Sequence, residues 1–540
     1  MIMRRSWRIA AIVLFAVALA LGGLLGDRLL AVTDETRDSL RLYTELVNVA
    51  HERYGADVSY KDIVYSSVNG MLRALDPHTA FLSPEAYEGM REKQQTSFYG
   101  LGILVGVRNG QLTVISPLEG TPAARLGVQA GDVISTIEGE ATDQMTLDEA
   151  VGKLKGPKGT QVKITIVRRG LDQPLPMSVT RAEIPQTTVR QSYMLNPTTG
   201  YIQLTEFARG SGKEVADAIE KLRRAGMKQL VFDLRNNGGG LLDQAIEIAD
   251  QFLPEGSTIV QTKGRTRDSF QSYKASGKYE ALDVPVVVLV NEGTASASEI
   301  VSGALQDHDR GLIVGTPSWG KGLVQTVYNL SYGAGLALTT AKYYTPSGRL
   351  IQRDYTSYFD YYTHADAGSP EAKGQTVDEK DIFHTDLGRK VYGGGGITPD
   401  VEVKDEELSP FEQFLLSRNA YLNFSVDYGS RNKVMKDWKP DQAKVLDEFG
   451  KWLVKEKLST QEEIDKNLTQ KDVRDYSILQ IRAELMNAAA GQEARHRVLS
   501  EGDKQLQDAL GLFDRAANMF AQRRELTTPK VERGTQTKGM

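Results

Sequence analysis

The most constraining feature of the sequence is an uninterrupted apolar run at residues 284–290. A strand that is covered by helices on both faces reads as a continuous apolar run, whereas a half-exposed strand alternates. Strand and helix patterns alternate around this run, at residues 201–204 (strand), 215–225 (helix), 229–234 (strand), 241–252 (helix) and 312–314 (strand). We therefore predict a largely parallel sheet with intervening helices across residues 184–404.

A second region, residues 98–183, has the pattern of a small mixed domain. Apolar residues alternate from 101 to 107 as in a strand, and the following Asn109-Gly110 is a strong hairpin signal. Short helix and strand patterns follow the hairpin. We interpret this region as a separate domain inserted before the sheet.

Helix patterns flank these two regions. Apolar residues recur at helical spacing in residues 34–97 until Asp76-Pro77 interrupts them, because a residue before proline is pushed away from the helical conformation. Residues 405–540 are charged and helical in pattern, and the polar end from residue 527 is predicted to be disordered. The chain thus begins and ends with helical parts around two folded domains.

The first 33 residues have the pattern of an export signal or a membrane anchor. Three arginines precede an apolar run of 17 residues at positions 9–25, close to the lower limit for a membrane span. Basic residues on the N-terminal side predict that this end stays in the cytoplasm while the remainder is exported. Cleavage after Ala20 and retention as an anchor are both compatible with this pattern.

Composition excludes several classes of site. The chain has no cysteine, so disulfides, thiolate metal sites and a cysteine nucleophile are excluded. None of its six histidines has the HExxH spacing of a zinc peptidase, and we predict no metal and no cofactor. The net charge is −5, which gives no reason to expect nucleic-acid binding.

Three segments with chemically active residue types follow predicted strands of the core. They lie at residues 233–240, 291–300 and 318–325. Ligands of open α/β sheets bind beyond the carboxyl ends of the strands, so these segments are expected at one edge. The second segment opens a helix, whose first backbone N–H groups are free to stabilise an oxyanion.

Ser296 and Lys321 are the candidate catalytic pair. Ser296 starts the helix among small residues, and no histidine lies near it in the sequence, so Lys321 is the candidate base. A lysine base needs its pKa lowered from about 10.4 toward 7–8, which burial can achieve. Gln325 lies four residues after the lysine and could orient its amine. Ser298 is the competing nucleophile, and a structural role in the first helical turn is favoured for it.

As a set, the three segments resemble those of the C-terminal processing peptidases, also called tail-specific proteases. That family has a DLRxN-x-GG segment, a nucleophile within S/T-A-S-A-S-E-I, and a lysine within F/W-G-K-G. Lys321 follows Ser296 by 25 residues, as in the family, and Gln325 matches its glutamine. Gly238 and Thr294 depart from frequent family residues without touching a catalytic position. The resemblance covers roughly three-fifths of the chain.

The resemblance implies both a fold and a set of roles. The fold is a multidomain α/β protein with a crotonase-like, ββα peptidase core, an inserted PDZ domain, an N-terminal helical segment and a C-terminal helical extension. Ser296 would attack, Lys321 would act as base, and Gly239 and Ala297 would supply the oxyanion N–H groups. The chain would be a serine endopeptidase that cleaves exported proteins at or near their C-termini.

The inserted domain resembles a PDZ domain. Its predicted carboxylate-binding loop comprises Gly100, Leu101, Gly102 and Ile103. Such a loop captures a peptide C-terminus while the peptide adds to the sheet as a strand. The implied partners are protein or peptide C-terminal tails and, through the N-terminal segment, a membrane. The implied location is extracytoplasmic or periplasmic, with a tether to the inner membrane, and a homo-oligomer or an adaptor-bound form is left open.

Three other functions compete with this one. A catalytically silent PDZ adaptor would bind tails without cutting them, but such a protein needs neither Ser296 nor Lys321. An acyl-CoA enzyme of the crotonase type would use a similar core, but export and the PDZ-like domain argue against it. A trypsin-like PDZ protease would place its PDZ domain after the catalytic domain and use a histidine base.

Overall fold

The computed structural model describes residues 34–94, 97–108, 110–118, 120–168, 170–185, 187–353, 379–432, 434–435 and 441–527. The predicted export segment, Asn109 of the predicted hairpin and the polar end after residue 527 lie outside these residues. So does a tyrosine-rich stretch at 355–362, whose composition predicts a loop insertion. Within the described residues, no helix has the length and apolar character needed to cross a membrane. The chain forms two compact units, Met1–Ser83 with Tyr328–Ala337, and Pro84–Val327 with Leu338–Met540.

The first unit contains two helices and a short strand. These elements are α1 (Asp34–Arg53), α2 (Tyr60–Arg73) and β1 (Ala80–Leu82). The Asp76 carboxylate accepts the backbone N–H groups of His78 and Thr79, which fixes the turn between α2 and β1. β1 then pairs antiparallel with the segment from Gly335 to Ala337.

The second unit begins with a helix and the inserted domain. Its elements are α3 (Pro84–Lys93), β2 (Ser97–Gly100), β3 (Ile103–Arg108), β4 (Gln111–Pro117), α4 (Pro122–Arg125), β5 (Val133–Ile137), β6 (Glu140–Ala141), α5 (Leu147–Leu154), β7 (Gln161–Val167), β8 (Leu175–Thr180) and β9 (Ala182–Pro185). The domain sheet has the order β3-β4-β5-β7-β8, so β3 is an edge strand. An edge strand leaves backbone groups available for an added strand.

The core contains the remaining strands and three helices. They are β10 (Val189–Met194), β11 (Thr199–Leu204), α6 (Ser211–Arg224), β12 (Gln229–Asp233), α7 (Leu242–Asp250), β13 (Thr258–Gly264), β14 (Gln271–Lys274), β15 (Val286–Val290), α8 (Ala297–Asp307), β16 (Leu312–Gly315), β17 (Leu323–Asn329), β18 (Gly335–Tyr344), β19 (Ile382–His384), β20 (Lys390–Tyr392) and β21 (Val401–Glu402). The main sheet has the order β10-β11-β12-β15-β16-β21. All its pairings are parallel except β10 with β11, which confirms the predicted parallel sheet.

Alternate residues of the central strands enter two different hydrophobic cores. On β15, Val286 and Val288 pack in a core with α6, α7 and α8. Val287 and Leu289 face the other way, into a core that contains Leu506 and Phe513 from the end of the chain. The apolar run is therefore buried on both faces, as predicted, and the C-terminal helices supply one of the two covers.

The C-terminal extension consists of eight helices in the described residues. They are α9 (Pro410–Ser417), α10 (Ala420–Arg431), α11 (Gln442–Lys455), α12 (Gln461–Asn467), α13 (Lys471–Ala490), α14 (Gln492–Ser500), α15 (Lys504–Leu510) and α16 (Phe513–Thr527). The first five share a hydrophobic core of their own, centred on Phe424 and Phe449. In contrast, α15 and α16 pack on the main sheet. The extension thus has a self-contained part and a part that belongs to the core.

Candidate active site

Ser296 lies between the end of β15 and the first residue of α8. It is half-buried, and its backbone has φ 56° and ψ −113°. A positive φ is uncommon for a residue with a side chain and costs on the order of 1–3 kcal/mol. The strand-to-helix turn therefore holds this serine in a strained conformation, as is typical of residues at functional sites.

Glu299 joins the turn of Ser296 to the loop of Lys321. Its fully buried carboxylate accepts the backbone N–H of Ser296 at 2.8 Å and that of Lys321 at 2.9 Å on the same oxygen, Oε2. The other oxygen, Oε1, accepts the Gly320 N–H at 2.7 Å and the Ser318 hydroxyl at 2.5 Å. The backbone N–H groups of the two candidate catalytic residues are thus bound to the same carboxylate oxygen.

The charge state of Glu299 reflects opposing effects. Burial raises the pKa of its carboxyl above the ordinary value, and hydrogen bonds from the Ser318 hydroxyl and the Lys321 amide oppose this rise. A carboxylate with both oxygens acting as acceptors suits four donors, whereas a carboxamide would direct an N–H toward some of them. The arrangement therefore requires an acidic side chain at this position.

Lys321 and Gln325 interact directly. Lys321 Nζ donates a hydrogen bond to Gln325 Oε1 at 3.1 Å, and both side chains are half-buried. Gln325 is the third residue of β17, a strand that pairs with β18 and that the sequence patterns did not predict. The strand fixes the position of the amide that the amine contacts, so the lysine is oriented from a rigid element.

The glycine loop after β12 lies against the Ser296 turn. Gly239 has φ 95°, and a Cβ placed on it would lie 2.8 Å from both Ser296 Cβ and the Ala297 nitrogen. Only glycine allows this approach. In this structure the Gly239 N–H donates to Asn237 Oδ1 at 2.9 Å. The loop therefore brings its backbone to the predicted nucleophile, while its N–H has an internal acceptor.

Ser298 has a structural position. Its buried hydroxyl donates to the Asn237 carbonyl at 2.9 Å, and that carbonyl also accepts the Ala295 N–H at 3.0 Å. Both bonds fix the glycine loop to the turn that carries Ser296. This arrangement fits the structural role favoured for Ser298 on sequence grounds.

The four residues predicted as the carboxylate-binding loop connect β2 to β3. Gly100 ends β2, Leu101 is buried, and Ile103 starts β3. Gly102 has φ 77°, and its carbonyl accepts the Thr121 hydroxyl at 3.0 Å. The loop thus lies at the start of β3, the edge strand of the domain sheet.

Sequence reasoning did not single out Glu299, Ser318 or Asn237 for these roles. Glu299 did have a local signal, since an acidic residue three positions after a helix-starting serine is the spacing of a capping box. Ser318 had no such signal, because it meets Glu299 only through the fold. Among the described residues, no group of three or more histidine, aspartate or glutamate side chains could hold a metal ion.

Comparisons with known proteins identify the families to which two parts of the chain are similar. The profile of peptidase family S41 matches residues 198–357, and a PDZ-domain profile matches residues 113–168, inside the predicted inserted domain. A carboxy-terminal-processing protease of Bartonella bacilliformis is 44% identical over 294 residues, which are 54% of this chain and 67% of that protein. A carboxyl-terminal-processing protease of Synechocystis sp. is 38% identical over 371 residues, 65% of this chain and 86% of that protein. The carboxy-terminal processing protease CtpA of Bacillus subtilis is 32% identical over 408 residues, 74% and 82% of the two chains.

Proposed function

Since the chain belongs to the carboxy-terminal processing proteases of peptidase family S41 and carries a PDZ domain, we propose that its serine protease activity uses Ser296 as nucleophile and Lys321 as general base. The observation that carries this proposal is the Glu299 carboxylate oxygen shared by the two residues' amides. It supports a fixed distance between the two loops. Substrates are proteins cut at or near their C-termini.

The chemistry follows from the roles of the two side chains. Neutral Lys321 Nζ takes the proton of the Ser296 hydroxyl as Oγ attacks the scissile carbonyl. The resulting ammonium then gives this proton to the leaving amine, and water repeats the sequence to release the acyl group. Gln325 accepts a hydrogen bond from the Lys321 amine. Because this bond orients the amine, the lone pair of Nζ is left to face the Ser296 hydroxyl.

The oxyanion of the tetrahedral intermediate is bound by the N–H groups of Gly239 and Ala297. Ala297 is the first residue of α8, where a backbone N–H has no acceptor within the helix. The Gly239 N–H exchanges its bond with Asn237 Oδ1 for one with the oxyanion as charge develops. A donor of this kind is worth roughly 100–1,000-fold in kcat.

The PDZ domain selects substrates by their free C-terminus. The loop of Gly100, Leu101, Gly102 and Ile103 binds the terminal carboxylate, and the tail pairs with the edge strand β3. The position of β3 at the edge of its sheet supports this mode. Amidation of a substrate's C-terminus is expected to raise KM or abolish cleavage, and equal kinetics for the amidated and free peptides would remove this role.

The protein acts outside the cytoplasm, tethered by its N-terminal apolar segment. The arginines and the apolar run of 17 residues in the first 33 positions support export. Expression of the full chain in a bacterium, followed by fractionation and N-terminal sequencing, tests this. We expect the intact chain in the inner-membrane fraction, digested by protease only after the outer membrane is opened. Recovery in the cytoplasm would contradict export.

Cleavage of an unfolded protein with an apolar C-terminus tests the catalytic pair. Ser296→Ala and Lys321→Ala are each expected to abolish cleavage, whereas Ser302→Ala, a buried hydroxyl further along α8, keeps it. Full activity of Lys321→Ala would refute the pair. A wild-type protein that binds the tail without cutting it would instead favour the adaptor function.

A further inference from the structure

The guanidinium of Arg235 connects the glycine loop to the C-terminal extension. Its Nε and Nη2 donate to the Asp233 carboxylate at 3.0 and 2.7 Å. Its Nη1 and Nη2 donate to the Asp503 carboxylate at 2.9 and 2.6 Å, and Nη1 also donates to Gln505 Oε1 at 3.0 Å. These bonds use all five N–H groups of the side chain. Two bidentate pairs fix a planar guanidinium in both position and orientation.

Arg235 is also the start of the loop that reaches Ser296. The next residue, Asn236, has φ 57°, and its N–H donates to Asn291 Oδ1 at 2.8 Å. At the other end of the loop, the Gly239 carbonyl accepts the Phe207 N–H at 3.0 Å. The loop is therefore held at both ends, and Arg235 provides the anchor nearest β12.

Asp503 is itself held firmly. It caps α15 by accepting the Leu506 N–H at 3.0 Å, and the neighbouring Gln505 Nε2 donates to the Val403 carbonyl at 2.9 Å. Leu506 is fully buried against the main sheet. The carboxylate is thus presented to Arg235 from a helix that is packed on the core, although its side chain keeps 23% of its surface exposed.

We propose that Asp503 is a positioning residue of the peptidase: by holding Arg235, it fixes the loop that brings the Gly239 N–H to the oxyanion. The proposal rests on the proposed function, in which Gly239 is an oxyanion donor. It gives the end of the C-terminal extension a part in catalysis. Without Asp503, Arg235 keeps its contact with Asp233 but loses its fixed orientation, and the loop gains freedom.

Substitution of Asp503 by serine separates this role from helix capping. Serine is a good N-cap residue, so α15 keeps its cap, but the side chain lacks the carboxylate that pairs with Arg235. Asp441→Ser is a matched control, because Asp441 caps α11 with a similar backbone conformation and accepts the Lys444 N–H at 3.2 Å. Asp503→Asn keeps the cap and one acceptor oxygen, so we expect an intermediate effect.

The measurements are kcat, KM and the thermal unfolding midpoint, with a peptide substrate of the full-length enzyme. We expect Asp503→Ser to lower kcat about tenfold, with KM within twofold and the unfolding midpoint within a few degrees of wild type. Asp441→Ser is expected to leave all three unchanged. An unchanged kcat in Asp503→Ser overturns the proposal, and so does a loss of kcat that Asp441→Ser reproduces.

A peptide aldehyde inhibitor gives a readout that a purely structural role would not change. Its adduct with the serine carries an oxyanion, so its Ki is expected to rise about tenfold in Asp503→Ser, in parallel with the loss of kcat. An unchanged Ki overturns the positioning role. Failure of the proposed function is recognised separately, because Ser296→Ala would then cleave the peptide as the wild type does.

Discussion

Glu299, which is fully buried, and Arg235, which is half-buried, both hold loops of the candidate site, but they take their partners from different parts of the chain. Glu299 binds donors that lie between 3 and 22 positions away, all within the core. Arg235 binds Asp233, two positions away, and Asp503, 268 positions away. The link between the proposed nucleophile and the proposed base is therefore complete within the core, whereas Arg235 takes one of its two carboxylate partners from the C-terminal extension.

The largest effect on activity is expected from a substitution of Glu299, because all four of its hydrogen-bond donors lie within the core. Glu299→Gln keeps the size of the side chain but replaces one acceptor oxygen with an N–H donor group. Because four donors face the carboxylate, at least one will be left without an acceptor, and the loops of Ser296 and Lys321 will separate. We expect kcat/KM for a peptide substrate to fall at least about 100-fold.

Glu292→Gln is the matched control for Glu299→Gln. Glu292 is exposed and accepts a hydrogen bond from Thr316, close to the same turn. This variant is expected to keep kcat/KM within about twofold of wild type. Wild-type kinetics in Glu299→Gln would show that the shared carboxylate does not hold the two loops together.

A substitution that weakens the packing of α16 on the main sheet is expected to affect stability strongly and catalysis less. Phe513 is buried in the core between the main sheet and the C-terminal helices. Phe513→Ala is expected to lower the free energy of unfolding by about 3–5 kcal/mol, as measured by urea denaturation. The exposed Phe414 of α9 is the control, with an expected loss under about 1 kcal/mol in Phe414→Ala. Equal losses would mean that α16 is not part of the core.

The smallest expected effect concerns pH. His496 on α14 is half-buried, its Nδ1 lies 2.8 Å from the Tyr193 hydroxyl, and its ring packs near Tyr201. Burial lowers the pKa of His496, although the charges of Asp233 and Asp503 raise it and those of Arg235 and Arg495 lower it further. Below about pH 6.5, His496 therefore binds a proton more readily in the unfolded chain than in the folded chain. The free energy of unfolding consequently falls as the pH falls.

Urea denaturation at pH 8 and pH 5.5 measures this effect. His496→Gln is expected to lose less stability between the two pH values than the wild type does. His384→Gln, which changes an exposed histidine of β19, should keep the wild-type dependence. If His496→Gln and the wild type lose the same amount, protonation of His496 does not affect how the extension binds the sheet.

The sequence predicted what local patterns encode. The apolar run at 284–290 indicated a strand buried on both faces, and the helix starting after Ser296 was predicted to within one residue. The family, the serine protease activity and the PDZ domain are confirmed by the comparisons. The roles of Ser296, Lys321, Gln325 and the oxyanion residues stay predictions.

Contacts between distant parts of the chain could not be predicted in this way. Asp503 lies in a charged, helical stretch, and nothing near it in the sequence distinguishes it from other aspartates at helix starts, such as Asp441. Its contact with Arg235 exists only because α15 packs on the main sheet. Similarly, β17 and β18 have mixed polar and apolar residues whose pattern did not indicate a hairpin.

The positive φ of Ser296 implies that thermal stability and the proposed reactivity favour different residues at this position. Glycine adopts such a backbone without strain, so Ser296→Gly should unfold at a higher temperature than Ser296→Ala, by an amount that reflects roughly 1 kcal/mol or more. The more durable protein would lack the hydroxyl. Selection for thermal robustness alone would therefore remove the serine, and its presence in a conformation that suits glycine marks this position as one where the fold gives up stability for reactivity.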